Sequence, residues 1–519
     1  MKWKTNVFYV LTCLTVYLMA NGILPAAEQE NTRSPATLRR ELARMGFTVQ
    51  DGRLDFPKIV DMCCECQLPT CFANNPSSPY GIFVLPPAPN QDPAVKNPYA
   101  EWFFEDDHYP EGWSWFWRMR ADEAVIFVGT TPPRMQYFGF TAYLYDRYHY
   151  DPDHSPIHPP DCTIGDTWSR PSPPSSYDRF PLFASLGDTT NQLTVNVRRF
   201  RRDPFDRKVV FIVAADRGTE RKVRLALLRS GYAPSMINSL PVPPDLVHLG
   251  IESDKDTLCI VLRMVPDADT DLEPYEQAPR TLLRVTPNQP LPPEDLEPIP
   301  PPNLRVKGTG ETEVFLLPLV EKLGKALIAR YPDYVATPIA TTNWYEGYNC
   351  IENGQNCLGD NRDTPYIPPS FNPVTGQLNQ NMVLAEDEFY IAYGVNHRAT
   401  GKATYSNVSV LGWTHKSSPV VINNEMMAGS ARHFLGSGWE TAAVDKLYAY
   451  RMTRPCGCDG DKAYCLEVPY DCNNGIAAEE PMAIVFRAYL EPTTRVAPAY
   501  GEIIIDRILK FTPRTVSGK

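Results

Sequence analysis

The sequence predicts an α+β protein that is rich in β-structure and carries a Cys-rich N-terminal extension. Short runs of β-branched and aromatic residues recur along the chain between turn-forming residues, which is typical of strands. Proline is more frequent than glycine, 52 residues against 30, and because proline removes a backbone donor, long helices should be few. An apolar content of 43% is enough for ordinary globular cores.

The individual elements follow from the spacing of apolar residues. Helical spacing predicts helices over 35–45, 217–230 and 313–330, the second of them with Asp216 as its N-cap. Apolar runs rich in β-branched and aromatic residues predict strands over 123–128, 136–145, 192–200, 209–214, 257–265, 388–393, 403–411, 482–489 and 503–509.

A proline-rich segment divides the chain. Its composition favours polyproline II and carries no core, so we expect a linker there; a long surface loop inside one domain is the alternative. The predicted order is a signal peptide, a Cys/Pro-rich extension, a first α+β region, the proline-rich segment and a second α+β region that ends in a Cys cluster: 1–22, 23–95, 96–285, 286–305 and 306–519.

A short repeat links the two α+β regions. The segment 122–129 aligns with 387–394, and four of the eight positions are identical. Each copy leads through a basic loop to a tyrosine, Tyr137 or Tyr405, that opens another strand. The repeat predicts an internal duplication with two related halves packed together, although four identities also arise by chance or convergence.

The N-terminus resembles a secretory leader. Lys2 and Lys4 precede an apolar run over 7–19, and Ala20-Asn21-Gly22 offers a cleavage site. A membrane anchor is the alternative, but the run is shorter than the roughly 20 residues that span a bilayer. The mature chain would then have no membrane span. Its 48 basic and 61 acidic residues give a net charge of −13, which disfavours nucleic acid as a partner.

Twelve cysteines remain after the leader, which contains Cys13. An even, clustered set in an oxidising compartment predicts disulfides, and Cys350–Cys357 is the favoured pair. Zinc is the alternative, but the clusters lack paired zinc-finger spacing. The sequon at Asn407 predicts a glycosylation site, since Val408 and Ser409 follow it. Together these features predict a secreted, extracellular protein.

The loop at 394–402 is the best candidate for catalysis. His397 has the side chain of a general base, and Lys402 could hold an anionic group or an oxyanion. Arg134 lies in the matching loop of the other half. Asp363 lies just past Cys357, which could hold it rigidly, and could form a carboxylate pair with Asp360 as glycoside chemistry requires, or equally a turn with Asx caps. The alternative is that these are solvated turns whose charges face water.

Two further clusters suggest ligands. His149, His154 and His158 occur among aspartates and could bind a metal such as zinc, although a solvated polar loop is the favoured interpretation. Trp113, Trp115 and Trp117 alternate along one segment and could stack on a sugar, or they could form a core face.

These features predict an extracellular hydrolase or lyase with a cleft between two halves. A non-catalytic carbohydrate-binding or matrix protein is the alternative, so a small molecule or a carbohydrate is the expected partner. Neither a G-x-S-x-G elbow nor a G-x-G-x-x-G loop occurs in the chain. The sequence names no cofactor, substrate or oligomeric state.

Overall fold

The protein is an α+β protein dominated by β-strands, which confirms the predicted fold class. The computed structural model describes residues 34–64, 71–91, 109–148, 179–197, 203–372, 377–414, 416–435, 442–456, 463–472 and 474–514. Its short helices lie against several sheets. None of the helices in these ranges is both long enough and apolar enough to span a membrane.

The ten described strands of the first half form one mixed sheet. Its helices are α1 (Pro35–Arg44), α2 (Ile59–Cys64), α3 (Arg217–Arg229) and α4 (Glu273–Glu276). Its strands are β1 (Phe47–Asp55), β2 (Tyr80–Val84), β3 (Ala124–Thr130), β4 (Tyr137–Tyr148), β5 (Arg179–Ser185), β6 (Thr190–Asn191), β7 (Lys208–Ala214), β8 (Ile237–Pro241), β9 (Thr257–Val265) and β10 (Thr281–Pro287). The sheet order is β5-β4-β9-β2-β1-β10-β3-β7-β8, with β6 beside β4.

The second half divides its strands between two sheets. Its helices are α5 (Leu317–Arg330), α6 (Gly347–Asn353), α7 (His397–Thr400), α8 (Asn424–Met427) and α9 (Ser430–Leu435). Its strands are β11 (Tyr334–Ile339), β12 (Tyr366–Ile367), β13 (Phe389–Val395), β14 (Tyr405–Gly412), β15 (Ser417–Asn423), β16 (Leu447–Thr453), β17 (Cys465–Glu467), β18 (Met482–Tyr489) and β19 (Arg507–Pro513). The orders are β11-β19-β13-β16-β17 and β12-β18-β14-β15.

The strand pairings of the second half follow those of the first. Strand β13 lies between β16 and β19 as β3 lies between β7 and β10, and β14 lies between β15 and β18 as β4 lies between β5 and β9. The pairs β7–β8 and β16–β17 are both parallel. Because a similar topology can also arise by convergence, duplication stays a prediction.

Most predicted elements are present, and β9 and β18 have the bounds that the sequence predicts. Helix α3 begins as expected, since the Asp216 carboxylate accepts from the Thr219 backbone N–H at 2.6 Å.

Two predicted strands differ from the structure. The strand at 192–200 is wrong for residues 192–197, because the Asn191 side chain accepts from the Leu193 N–H and forms a turn. The last strand begins at Arg507 rather than Ile503, because the Ile504 N–H donates to the Glu313 carboxylate at 2.9 Å instead of joining a ladder.

The proline-rich segment lies against the first half. The Ile299 N–H donates to the Ala215 carbonyl at 2.8 Å, and the Leu291 N–H donates to the Asp122 carboxylate at 2.8 Å. Its backbone therefore has partners within the fold, whether or not it also separates two domains.

Disulfides hold the two ends of the described chain together. The bonded pairs are Cys63–Cys71, Cys64–Cys472, Cys350–Cys357 and Cys456–Cys465. Cys64–Cys472 joins residues 408 positions apart and so ties the N-terminal segment to the second half. Within the described ranges Cys259 is a buried free thiol, whereas Cys66, Cys162 and Cys458 lie outside them. These bonds fit an oxidising, extracellular compartment.

Candidate functional site

His397 lies in a buried ion cluster rather than in an open cleft. Its side chain is 3% exposed, its Nδ1 is 3.0 Å from Glu313 Oε2, and its Nε2 is 3.4 Å from Asp506 Oδ2. Burial alone would lower the pKa of His397, but the two carboxylates outweigh it and raise the pKa to about 10. The ring is therefore an imidazolium at neutral pH, which cannot accept a proton as a general base.

Lys402 and Arg134 are also ion-paired, and they lie in different surroundings. Lys402 Nζ is buried 2.9 Å from Glu491 Oε1 and 2.8 Å from Glu502 Oε2, so its charge is balanced. The Arg134 side chain is 71% exposed and pairs with Asp203 at 2.9 Å. No contact in the described chain joins Arg134 to His397.

Asp363 is the carboxylate among the predicted catalytic residues, and its pKa is strongly raised. It is fully buried, and its oxygens accept from Tyr137 Oη at 2.9 Å and from Asn191 Nδ2 at 2.9 and 3.0 Å. Burial raises the pKa of Asp363 to about 7, against which these donors act only partly. The Tyr137 ring also contacts the Tyr489 ring, with their centroids 4.8 Å apart.

The predicted metal site lies outside the described residues, and the predicted glycosylation site is buried. The structure does not describe His149, His154 and His158. Among the residues that it does describe, no cluster of three metal-ligating side chains occurs. Asn407 is buried in β14, where its Nδ2 donates to Asn75 at 2.8 Å and to Tyr405 at 2.9 Å. This packing leaves no room for a glycan.

The tryptophan segment contributes to two cores. Trp115 and Trp117 are 2% and 3% exposed and belong to different apolar clusters, while Trp113 is partly buried beside Trp115. A sugar could not stack on the two buried rings without unpacking them.

A cavity of about 50 Å³ lies where the two halves meet. Both halves supply its wall, and corresponding strands contribute matched side chains. Tyr80 of β2 pairs with Arg263 of β9, and Tyr366 of β12 pairs with Arg487 of β18. The wall includes Tyr80, Arg263, Trp344, Tyr366, Arg487 and Tyr489.

The two arginines of this cavity are buried without a carboxylate partner in the described structure. Arg263 is 5% exposed and donates to Tyr143 Oη and to the Gly359 carbonyl. Arg487 is 2% exposed and donates to Ser409 Oγ and to the Ala73 carbonyl, the latter at 2.9 Å. Arg487 Nε is buried and makes no hydrogen bond.

The tyrosines around these arginines do not balance their charge. Burial raises the pKa of Tyr143, Tyr366 and Tyr489, so all three are neutral phenols at pH 7. The described residues that line the cavity include neither Asp nor Glu. The cavity therefore carries two positive charges within a wall that contains six aromatic side chains.

Three other buried arginines of the described chain, Arg284, Arg179 and Arg454, are balanced by a carboxylate or fully hydrogen-bonded. Arg284 lies 2.8 Å from Glu123, and Arg179 lies 2.6 Å from Asp146. Arg454 donates to five backbone carbonyls through all three of its nitrogens. Arg487 differs from these three, because its Nε is buried without an acceptor among the described residues; Arg280 and Arg451 share this feature, but their side chains are only partly buried.

A larger groove of about 900 Å³ runs along α5 and β19. Two of its carboxylates, Glu502 and Asp506, are already engaged by Lys402 and His397. It is therefore a weaker candidate for specific recognition than the cavity between the halves.

Sequence reasoning missed both cavity arginines, although a signal for them exists. Each strand has the predicted bounds, and each contains one charged residue in a mostly apolar run, Arg263 in β9 and Arg487 in β18. A charged residue in a strand that is otherwise fully buried is unusual and indicates a special environment.

Comparisons with known proteins do not assign a function. No protein-family model matches the chain, and no curated protein matches it. An uncharacterised protein from Burkholderia cenocepacia is 10% identical, with a TM-score of 0.34 over 97% of this chain and 96% of that chain. The VPA0106 protein from Vibrio parahaemolyticus is 11% identical, with a TM-score of 0.33 over 76% of this chain and 86% of that chain. Such low scores carry no argument about function.

Proposed function

We propose that this chain is a secreted, disulfide-bonded protein that binds a small molecule between its two halves. The observation that carries the proposal is the cavity at their junction, where Arg263 and Arg487 occupy corresponding strands and face one aromatic wall. Ligand sites commonly lie at such junctions, with a few polar groups placed in an apolar lining.

Two disulfides support the wall of this cavity. Phe72 and Ala73 directly follow Cys71, and Leu358 and Gly359 directly follow Cys357. Because Cys71 and Cys357 are each disulfide-bonded within a short loop, the backbone of the wall residues that follow them is restrained. Preorganisation of this kind lowers the entropy that is lost on binding.

Secretion is part of the proposal. The leader at 1–22 and the disulfides support it, because such bonds persist in oxidising compartments. N-terminal sequencing of protein exported by a secretory host should begin at Ile23. A retained leader would contradict this part of the proposal.

Catalysis in the same region is the second candidate, and Asp363 is the observation that favours it. A carboxyl group with a pKa near 7 suits proton transfer at neutral pH, and Tyr137 links it to the Tyr489 ring in the cavity wall. A hydrolase or lyase would place its reacting bond beside this carboxyl group. Asp363 itself does not line the cavity, so binding is the better-supported function.

The binding proposal can be tested by filling the cavity without changing its charge. Val485 lies in the wall and is 5% exposed, so Val485→Phe should occupy the space that a ligand needs. Native mass spectrometry of the wild type should show a small molecule that is released on unfolding and is absent from the variant. An equal amount of bound molecule in both proteins would refute the site.

A further inference from the structure

We infer, on the basis of the proposed binding function, that the ligand carries an oxyanion group held by Arg263 and Arg487. Carboxylate, sulfate and phosphate share the required chemistry, since each presents several acceptor oxygens and a negative charge. Arginine recognises such groups through paired, charge-assisted N–H bonds.

The first argument for an oxyanion is the uncompensated positive charge of the cavity. A buried cation is costly unless an anion or a set of hydrogen bonds compensates it. Elsewhere the fold meets this requirement with carboxylates, as at Arg284 and Arg179. At the junction of the halves, by contrast, two guanidinium groups line one cavity, where burial raises the pKa of Tyr366 and Tyr489 and keeps both neutral.

The second argument for an oxyanion is the incomplete hydrogen bonding of Arg487. Arg454 shows how a buried arginine serves a purely structural role here, because its three nitrogens all donate to backbone carbonyls. Arg487 differs, since its buried Nε lacks an acceptor in the described chain. An oxyanion in the cavity would supply that acceptor and the missing negative charge together.

The surroundings indicate that the ligand is small and partly apolar. Trp344, Leu411 and Val485 line the same cavity as the arginines. A second cavity of about 50 Å³ shares Arg263 and Tyr80 with the first and is otherwise lined mainly by apolar side chains. We therefore expect a short organic acid whose charged group contacts the arginines and whose apolar part lies toward this second cavity.

Thermal unfolding with named probes tests the inference. Acetate, formate, sulfate and inorganic phosphate are titrated at constant ionic strength, with chloride as the salt control and acetamide as the neutral analogue of acetate. At least one oxyanion should raise the Tm in a saturable manner, and acetate should exceed acetamide. Comparison of the carboxylates with sulfate and phosphate identifies which oxyanion the site prefers.

Matched variants separate the cavity from general salt effects. Arg487→Met should weaken oxyanion binding by about tenfold or more, since a charge-assisted contact is lost. Arg454→Met removes an equally buried arginine outside the cavity and should leave the affinity unchanged. Arg263→Met and Arg487→Lys provide further tests if Arg487→Met does not fold.

Two outcomes would overturn the inference. Stabilisation by chloride equal to that by the oxyanions, or retained oxyanion affinity in both Arg487→Met and Arg263→Met, would show that the arginines do not bind the anion. A neutral molecule that binds the wild type and Arg487→Met but not Val485→Phe would keep the proposed cavity site and reject the oxyanion. If both the oxyanion and the neutral molecule still bind Val485→Phe, the proposed binding function itself is rejected.

Discussion

Replacement of His397 by Gln should destabilise the protein strongly at pH 6. The change removes the positive charge between Glu313 and Asp506, whose oxygens lie 3.0 and 3.4 Å from the imidazole nitrogens. Two buried carboxylates would then face each other without a cation. Because breaking a buried ion pair costs about 3–5 kcal/mol, we expect the free energy of unfolding to fall by roughly that amount.

The pH dependence follows from the raised pKa of His397. Its folded-state pKa of about 10 exceeds the reference value of 6.5, so protonation stabilises the fold. This contribution is complete below about pH 6.5 and is lost as the pH rises through about 10. The wild type and His397→Gln should therefore converge in stability at alkaline pH.

Urea unfolding followed by tryptophan fluorescence, with the disulfides intact, measures both effects. His248→Gln is the matched control, because its side chain is 64% exposed and lies 3.7 Å from Asp256. The control should change stability by no more than about 0.5 kcal/mol. A loss below about 1 kcal/mol for His397→Gln at pH 6 would refute the ion-cluster account. Such a result would restore His397 as a candidate base.

Three further predictions concern buried groups and cross-links. Wild-type stability should fall as the pH rises from about 4 through 7, because folded Asp363 retains a proton that the unfolded chain releases; Asp363→Asn should lack this slope in urea titrations. Replacing Cys350 and Cys357 together by Ser should cost about 2.5 kcal/mol through the lost loop constraint, measured by thermal unfolding, and an unchanged Tm would contradict this. Glycosidase treatment of the exported protein should leave its mass unchanged, since the Asn407 side chain is buried; a mass loss that maps to Asn407 would disprove that packing.

The strands that the sequence predicted best are those whose side chains are nearly all apolar. Strands β9 and β18 have the predicted bounds because burial on both faces leaves a run that is mostly apolar, interrupted in each strand by one arginine. Strands such as β1 and β11 were missed, because they mix polar and apolar residues and depend on long-range pairing with β10 and β19. The order of strands in a sheet depends on such distant contacts, which local patterns do not contain.

The site residues were harder to predict for a similar reason. His397 and Lys402 look catalytic in sequence, but carboxylates from 84 to 109 residues away in the chain, including Glu313 and Asp506, neutralise them in the fold. Conversely, Arg263 and Arg487 look like isolated charges within strands. Only the packing of the two halves places them at one cavity, where the described lining residues include no carboxylate.

A crystal structure of the exported, mature protein tests the central claim most directly. The account predicts density for a small molecule between the two halves, with acceptor oxygens in contact with the guanidinium groups of Arg263 and Arg487. A cavity closed by side chains, or either arginine paired with a protein carboxylate in that structure, would contradict it.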